Sequence, residues 1–144
     1  MADRVLPQLP PGTVVILATV GGAGPAAIPV SAVLREGPRA LLLGLAARRG
    51  SLARLRDEPR VALSVGGPGF CVEVVGEATV AADPLPGAEG MVAVRVRARS
   101  VRDVRGPATE VDAGMRWRWT EEGADVRHRA VMAALSRLGG ATIA

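Results

Sequence analysis

The chain has 144 residues, a length that suits one domain around one hydrophobic core, and 49% of those residues are hydrophobic. One Phe, two Trp and no Tyr are present, so Val, Leu and Ala must fill the core, and the Val-rich runs favour pleated, half-buried surfaces. The net charge of +4 favours anionic partners over cationic ones, and no apolar run approaches the ~20 residues that a membrane-spanning helix requires.

Two further counts narrow the reading. All eighteen basic residues are Arg, which together with the excess of Ala, Gly, Pro and Val matches the bias of a GC-rich genome. Arginine abundance therefore carries little functional weight. Cys71 is the single cysteine, so no intrachain disulfide can form and a cytoplasmic location is expected. The opening stretch from Met1 to Pro11 lacks the pattern of a signal peptide and is expected to be flexible.

In chain order, residues 13–20 form an apolar, β-branched run of strand length, followed by the turn Gly21-Gly22-Ala23-Gly24. Pro25 to Leu34 reads as a second strand. Pro29 within it cannot donate to a ladder, which predicts an edge, a bulge or a contact on the backbone. A third strand spans Ala40 to Leu45. Ser51 then suits a helix N-cap, with Leu52 to Arg56 helical in composition and Pro59 closing the helix. Strands follow at Arg60 to Val65 and Phe70 to Val80, where Gly76 predicts a bulge. Residues 91–99 alternate Val92, Val94 and Val96 against Arg95, Arg97 and Arg99. Residues 115–119 alternate again, setting Arg116 and Arg118 against Trp117 and Trp119. A last helix is predicted over 125–138, with Val131, Ala134, Leu135 and Leu138 on one stripe. Six or seven short strands with two helices predict a mainly β, single-domain small barrel or sandwich.

Two stretches carry a likeness to a known family. Ala18-Thr19-Val20 followed by Gly24-Pro25-Ala26-Ala27-Ile28-Pro29-Val30-Ser31 resembles the opening hairpin of the flavin-binding split barrels of the pyridoxamine 5'-phosphate oxidase-like superfamily. Leu55-Arg56-Asp57-Glu58-Pro59-Arg60-Val61-Ala62-Leu63 is similar to that superfamily's helix-to-strand segment, and Val74-Val75-Gly76-Glu77-Ala78 to a later strand. The resemblance implies a six-stranded antiparallel split β-barrel with small helices. It also implies a homodimer holding FMN or a deazaflavin at its interface, and hydride transfer to or from a small-molecule substrate. A non-enzymatic module that binds flavin, haem or another ligand, or one that has lost its cofactor, is the alternative.

The same resemblance implies cofactor contacts from Pro29, Val30, Ser31, Ala46, Ala47, Arg48, Arg49, Ser51 and Arg54. The residues themselves suit that role in part. Arg48-Arg49-Gly50-Ser51 joins two guanidiniums to a predicted helix start, where free N–H groups and the helix dipole attract phosphate. The same stretch also reads as solvated charge beside an ordinary capped helix. The family usually has Lys or Arg where Ser51 falls, so Arg49 or Arg54 must substitute if a phosphate binds.

Other candidates are weaker. His128 is the only histidine, so no histidine pair and no histidine-rich metal site can be built, and it is expected to be structural or solvated. Cys71 reads as a small buried hydrophobe. The Arg95, Arg97 and Arg99 stripe lacks interleaved aromatics, so nucleic acid is an unlikely partner. Trp117 and Trp119 are expected in the core or a dimer interface, and only secondarily beside a ligand.

Overall fold

The structure is a computed structural model that describes residues 3–22 and 24–143, so Met1, Ala2, Ala23 and Ala144 lie outside it. Seven strands and two helices follow in the order β1 (Val15–Thr19), β2 (Ala26–Val30), β3 (Val33–Gly37), β4 (Ala40–Ala46), α1 (Gly50–Asp57), β5 (Arg60–Gly67), β6 (Phe70–Ala82), β7 (Met91–Asp103) and α2 (Ala124–Ile143). The strands form one antiparallel sheet in the order β2-β1-β5-β6-β7-β4-β3. β2 and β3 are its two edges, yet only Ser31 and Ala32 separate them along the chain. The sheet must therefore curl until its edges meet, which makes a half-barrel.

This explains why the predicted strand over residues 25–34 is two strands. β2 pairs with β1 through Val15–Val30, whereas β3 pairs with β4 through Val33–Leu43. The Ala32 carbonyl accepts from the Gly44 N–H at 2.8 Å and starts the second pairing. Pro29 sits on an edge strand, where its missing donor costs no ladder bond. The bulge predicted at Gly76 is present: the register slips between Val75–Ser100 and Gly76–Ala98. A Cβ on Gly76 would lie 2.1 Å from the Arg97 carbonyl oxygen, so only glycine permits this crossing.

Two cores follow from strand alternation. Inside the half-barrel, Leu17, Leu43, Leu63, Val65, Val74, Val94 and Val101 are fully or almost fully buried, and Leu52 and Leu55 of α1 plug one end. On the outer face, α2 lays Ala134 and Leu135 over Leu42 and Ala93, with Leu85 beside them. Strands β4 and β7 are thus covered on both faces, which is why Leu41 to Leu43 read as a continuous apolar run. Helix α2 begins at Ala124 and outlasts the predicted 125–138, because Gly139 is buried where a Cβ would lie 3.3 Å from Leu42.

In the described part of the N-terminal stretch, Leu6 is buried and Asp3 accepts from the Val101 N–H at 2.9 Å. Two further expectations are corrected. Residues 115–119 form no strand; the whole segment 104–123 has neither helix nor strand. The Met115 carbonyl takes one bond from the Val14 N–H, but β1 already has β2 and β5 on its two sides, so no ladder can grow. Cys71 is only half-buried.

Candidate functional site

A cleft of about 650 Å³ opens where the sheet edges meet, a size that suits a cofactor or a small-molecule ligand. One wall is the end of β2 and its continuation: Pro29, Val30, Ser31 and Ala32. The floor is the end of β4, Gly44 to Ala46, with Met91 beside it. The opposite wall is Trp117 and Trp119 from the irregular segment and His128 and Val131 from α2. Arg49, Glu89 and Arg127 are its charged lining residues.

Local chemistry places each of these. The chain leaves β4 through a turn closed by the Arg49 N–H on the Ala46 carbonyl at 2.9 Å, which brings Arg49 to the cleft. Arg49 is the extended N-cap of α1 and no side chain caps that helix, so the first-turn N–H groups lack a side-chain acceptor. The Arg49 guanidinium has no hydrogen bond or ion pair among the described residues. Arg127 differs, since it pairs with Glu121 at 3.2 Å. His128 is held below its ordinary pKa of 6.5 by burial and is therefore neutral at pH 7. Its ring lies 5.1 Å from that of Trp119, and the Trp119 ring lies 6.1 Å from Trp117 at 66°. Ser31 and His128 also line a second cavity of about 340 Å³ under the Pro10–Pro11 turn.

The nine residues singled out from the sequence therefore divide. Pro29, Val30, Ser31, Ala46 and Arg49 line the cleft together. Ala47, Arg48, Ser51 and Arg54 do not. Ala47 ties β4 to the neighbouring turn by donating to the Gly90 carbonyl at 3.0 Å, and Arg48 is exposed. Ser51 is not the N-cap: it lies inside the first turn of α1, buried, and its hydroxyl has no partner. Arg54 points the other way, donating from Nε to the Thr19 hydroxyl at 2.9 Å and so fastening α1 to β1.

Sequence reasoning passed over Glu89 and Arg127 and undervalued the wall of Trp117, Trp119 and His128. A signal was present. In a chain whose core is built without aromatics, two tryptophans one residue apart have no packing role to fill. They are 43% and 41% exposed, so neither belongs to the core. Among the described residues, no group of three or more His, Cys, Asp or Glu side chains is placed to hold a metal ion. No helix is long and apolar enough to cross a membrane.

Solved structures share this architecture. An F420 reductase superposes with a TM-score of 0.57 at 19% identity, covering 67% of this chain and 98% of that one. A pyridoxamine 5'-phosphate oxidase-like protein of Listeria innocua gives 0.55 at 18%, covering 65% and 89%. A Clostridium acetobutylicum protein related to general stress protein 26, of the pyridoxinephosphate oxidase family, gives 0.54 at 15%, covering 64% and 79%. The chain thus has the split-barrel fold of the pyridoxamine 5'-phosphate oxidase-like superfamily, with seven strands in place of the six expected. No family model matches the sequence, and no curated protein matches it.

Proposed function

We propose that the chain binds FMN or a deazaflavin in this cleft and, as a homodimer, transfers hydride to or from a small molecule. One observation carries the reading. In a split-barrel fold, the curl of the sheet brings Pro29–Ser31 to one cleft with an arginine that has no partner among the described residues, and with an aromatic wall. The residues suit such a group. Pro29, Val30, Ala32 and Val131 offer an apolar slot for a flat ring. β2 is an edge strand, so backbone groups on its outer side are free of a ladder and can meet the ring's polar rim. Arg49 and the uncapped start of α1 suit a phosphate.

When bound, the cofactor supplies the hydride chemistry, and the chain's residues orient and enclose it. Arg49 fixes the anionic end by charge-assisted hydrogen bonds. Trp117 and Trp119 close the opposite side of the cleft. Neutral His128 can donate a hydrogen bond from one ring nitrogen and accept one at the other. The likeness to an F420 reductase keeps a deazaflavin beside FMN as the cofactor.

A second reading, ligand binding without redox turnover, is favoured by the positions of Ser51 and Arg54 outside the cleft. Among the described residues it leaves Arg49 as the one partnerless cation that lines the cleft.

The test is an absorbance titration of the purified protein with FMN and then with a deazaflavin, repeated for Arg49→Ala and Arg95→Ala. Uptake by the wild type that Arg49→Ala weakens more than Arg95→Ala supports the assignment. Equal affinities in all three proteins overturn it. Uptake without turnover of any reductant favours the second reading, and light scattering of the same samples checks the dimer.

A further inference from the structure

We infer that the wall of Trp117, Trp119 and His128 is a stacking subsite for a second ligand, a flat uncharged aromatic ring; as a substrate site this rests on the cofactor reading of the same cleft. The hydrophobic core inside the barrel is built of aliphatic side chains, and Phe70, the remaining aromatic, packs against it. The two indoles instead stand half-exposed on a segment without helix or strand, both facing the cleft. Leaving them in water forgoes about 25 cal/mol for every Å² of apolar surface that could be covered. Nothing in the barrel requires them there.

Geometry supplies the second argument. The indole planes meet at 66° with their centroids 6.1 Å apart, and the imidazole is tilted 39° to Trp119 at 5.1 Å. Three rings set at such angles form an open corner. A flat ring entering it can stack on one indole while its edge meets the other, the two arrangements aromatic pairs favour. A saturated ring of the same size can do neither.

Charge supplies the third. The wall itself carries no net charge: His128 is neutral through burial, and Arg127 at its foot is paired with Glu121. Arg49, which has no partner among the described residues, lines the same cleft from the start of α1. An uncharged ring therefore suits the wall better than an anion.

The chain's only indoles are these two, so a proton–nitrogen correlation NMR spectrum carries two indole N–H signals, both from the subsite. The experiment titrates the protein, with and without FMN, with naphthol, with its saturated analogue decalol and with naphthalenesulfonate. The inference expects naphthol to move both signals saturably and to bind about tenfold tighter than decalol, and tighter than the sulfonate. Trp119→Leu, at a half-exposed position, should bring naphthol down to the level of decalol. Static indole signals, or equal affinities for naphthol and decalol, overturn it. Signals moved by FMN itself, with naphthol then excluded, assign the wall to the cofactor and also overturn it. Naphthol binding without FMN uptake leaves the subsite standing and sinks the cofactor reading instead, so the two failures are distinguishable.

Discussion

Two arginine regions of this molecule look alike in sequence and behave differently in the fold. On β7, Arg95 donates from both Nε and Nη2 to Glu36, at 2.6 and 2.9 Å, and the pair is nearly out of water. At the start of α1, Arg49 has no partner among the described residues and lines a cleft. The first arginine fastens β7 to the hairpin of β3 and β4; the second remains available to a ligand. The difference teaches that a guanidinium's role is set by whether the topology brings a carboxylate to it. Glu36 comes to Arg95 across β4, fifty-nine positions away along the chain. No window of sequence contains that information.

Removing the carboxylate is the strongest way to break the contrast. Glu36→Ala strips Arg95 of its charged partner where little water can replace it. It should lower unfolding stability by about 2 kcal/mol in a denaturant melt, a value reduced for the part of Arg95 that remains solvated. Next comes Gly114→Ala. A Cβ there would lie 2.0 Å from the Gly66 carbonyl oxygen, so the segment that carries the tryptophans must lift off the β5–β6 hairpin. A loss of about 1–2 kcal/mol, with both indole NMR signals shifted, is the expected result. An unchanged spectrum would show that the wall is positioned by something other than this contact.

Arg49→Ala should sharpen the contrast from the other side. It should leave stability within about 0.5 kcal/mol of wild type while weakening FMN uptake about tenfold. Smallest is an acid effect. Asp103 is held at about 2 by the hydrogen bonds of Arg105, below its ordinary 3.8. A carboxylate whose folded pKa is depressed contributes stability above its unfolded pKa, and the contribution is lost as pH falls from 3.8 toward 2. Asp103→Asn should therefore flatten the stability profile across that window; a profile identical to wild type would deny the pair any role.

Much of the barrel was legible from local pattern. Alternation over residues 91–99 marked β7, Gly76 marked the bulge in β6, and the stripe through Ala134 and Leu135 marked the inner face of α2. What failed depended on distant partners. The break at Ser31–Ala32 exists because the two sheet edges belong to different neighbours. The alternation of residues 115–119 lacks a free strand edge to pair with. Ser51 has the chemistry of a helix cap, yet the helix begins earlier and buries it. The site was half legible for the same reason. Pro29–Ser31 and Arg49 are read from motif and charge, whereas Trp117, Trp119 and His128 meet them only through the path of residues 104–123 over the barrel.

That path bears on how unfolding of this protein is observed. Every fluorophore of the tryptophan type belongs to one irregular strap outside the barrel. Emission on heating will therefore report release of the strap, while far-ultraviolet circular dichroism follows the sheet. Where the two traces separate, the strap detaches before the barrel melts, and the protein cannot be treated as two-state. Where they coincide, the strap and barrel unfold as one cooperative unit.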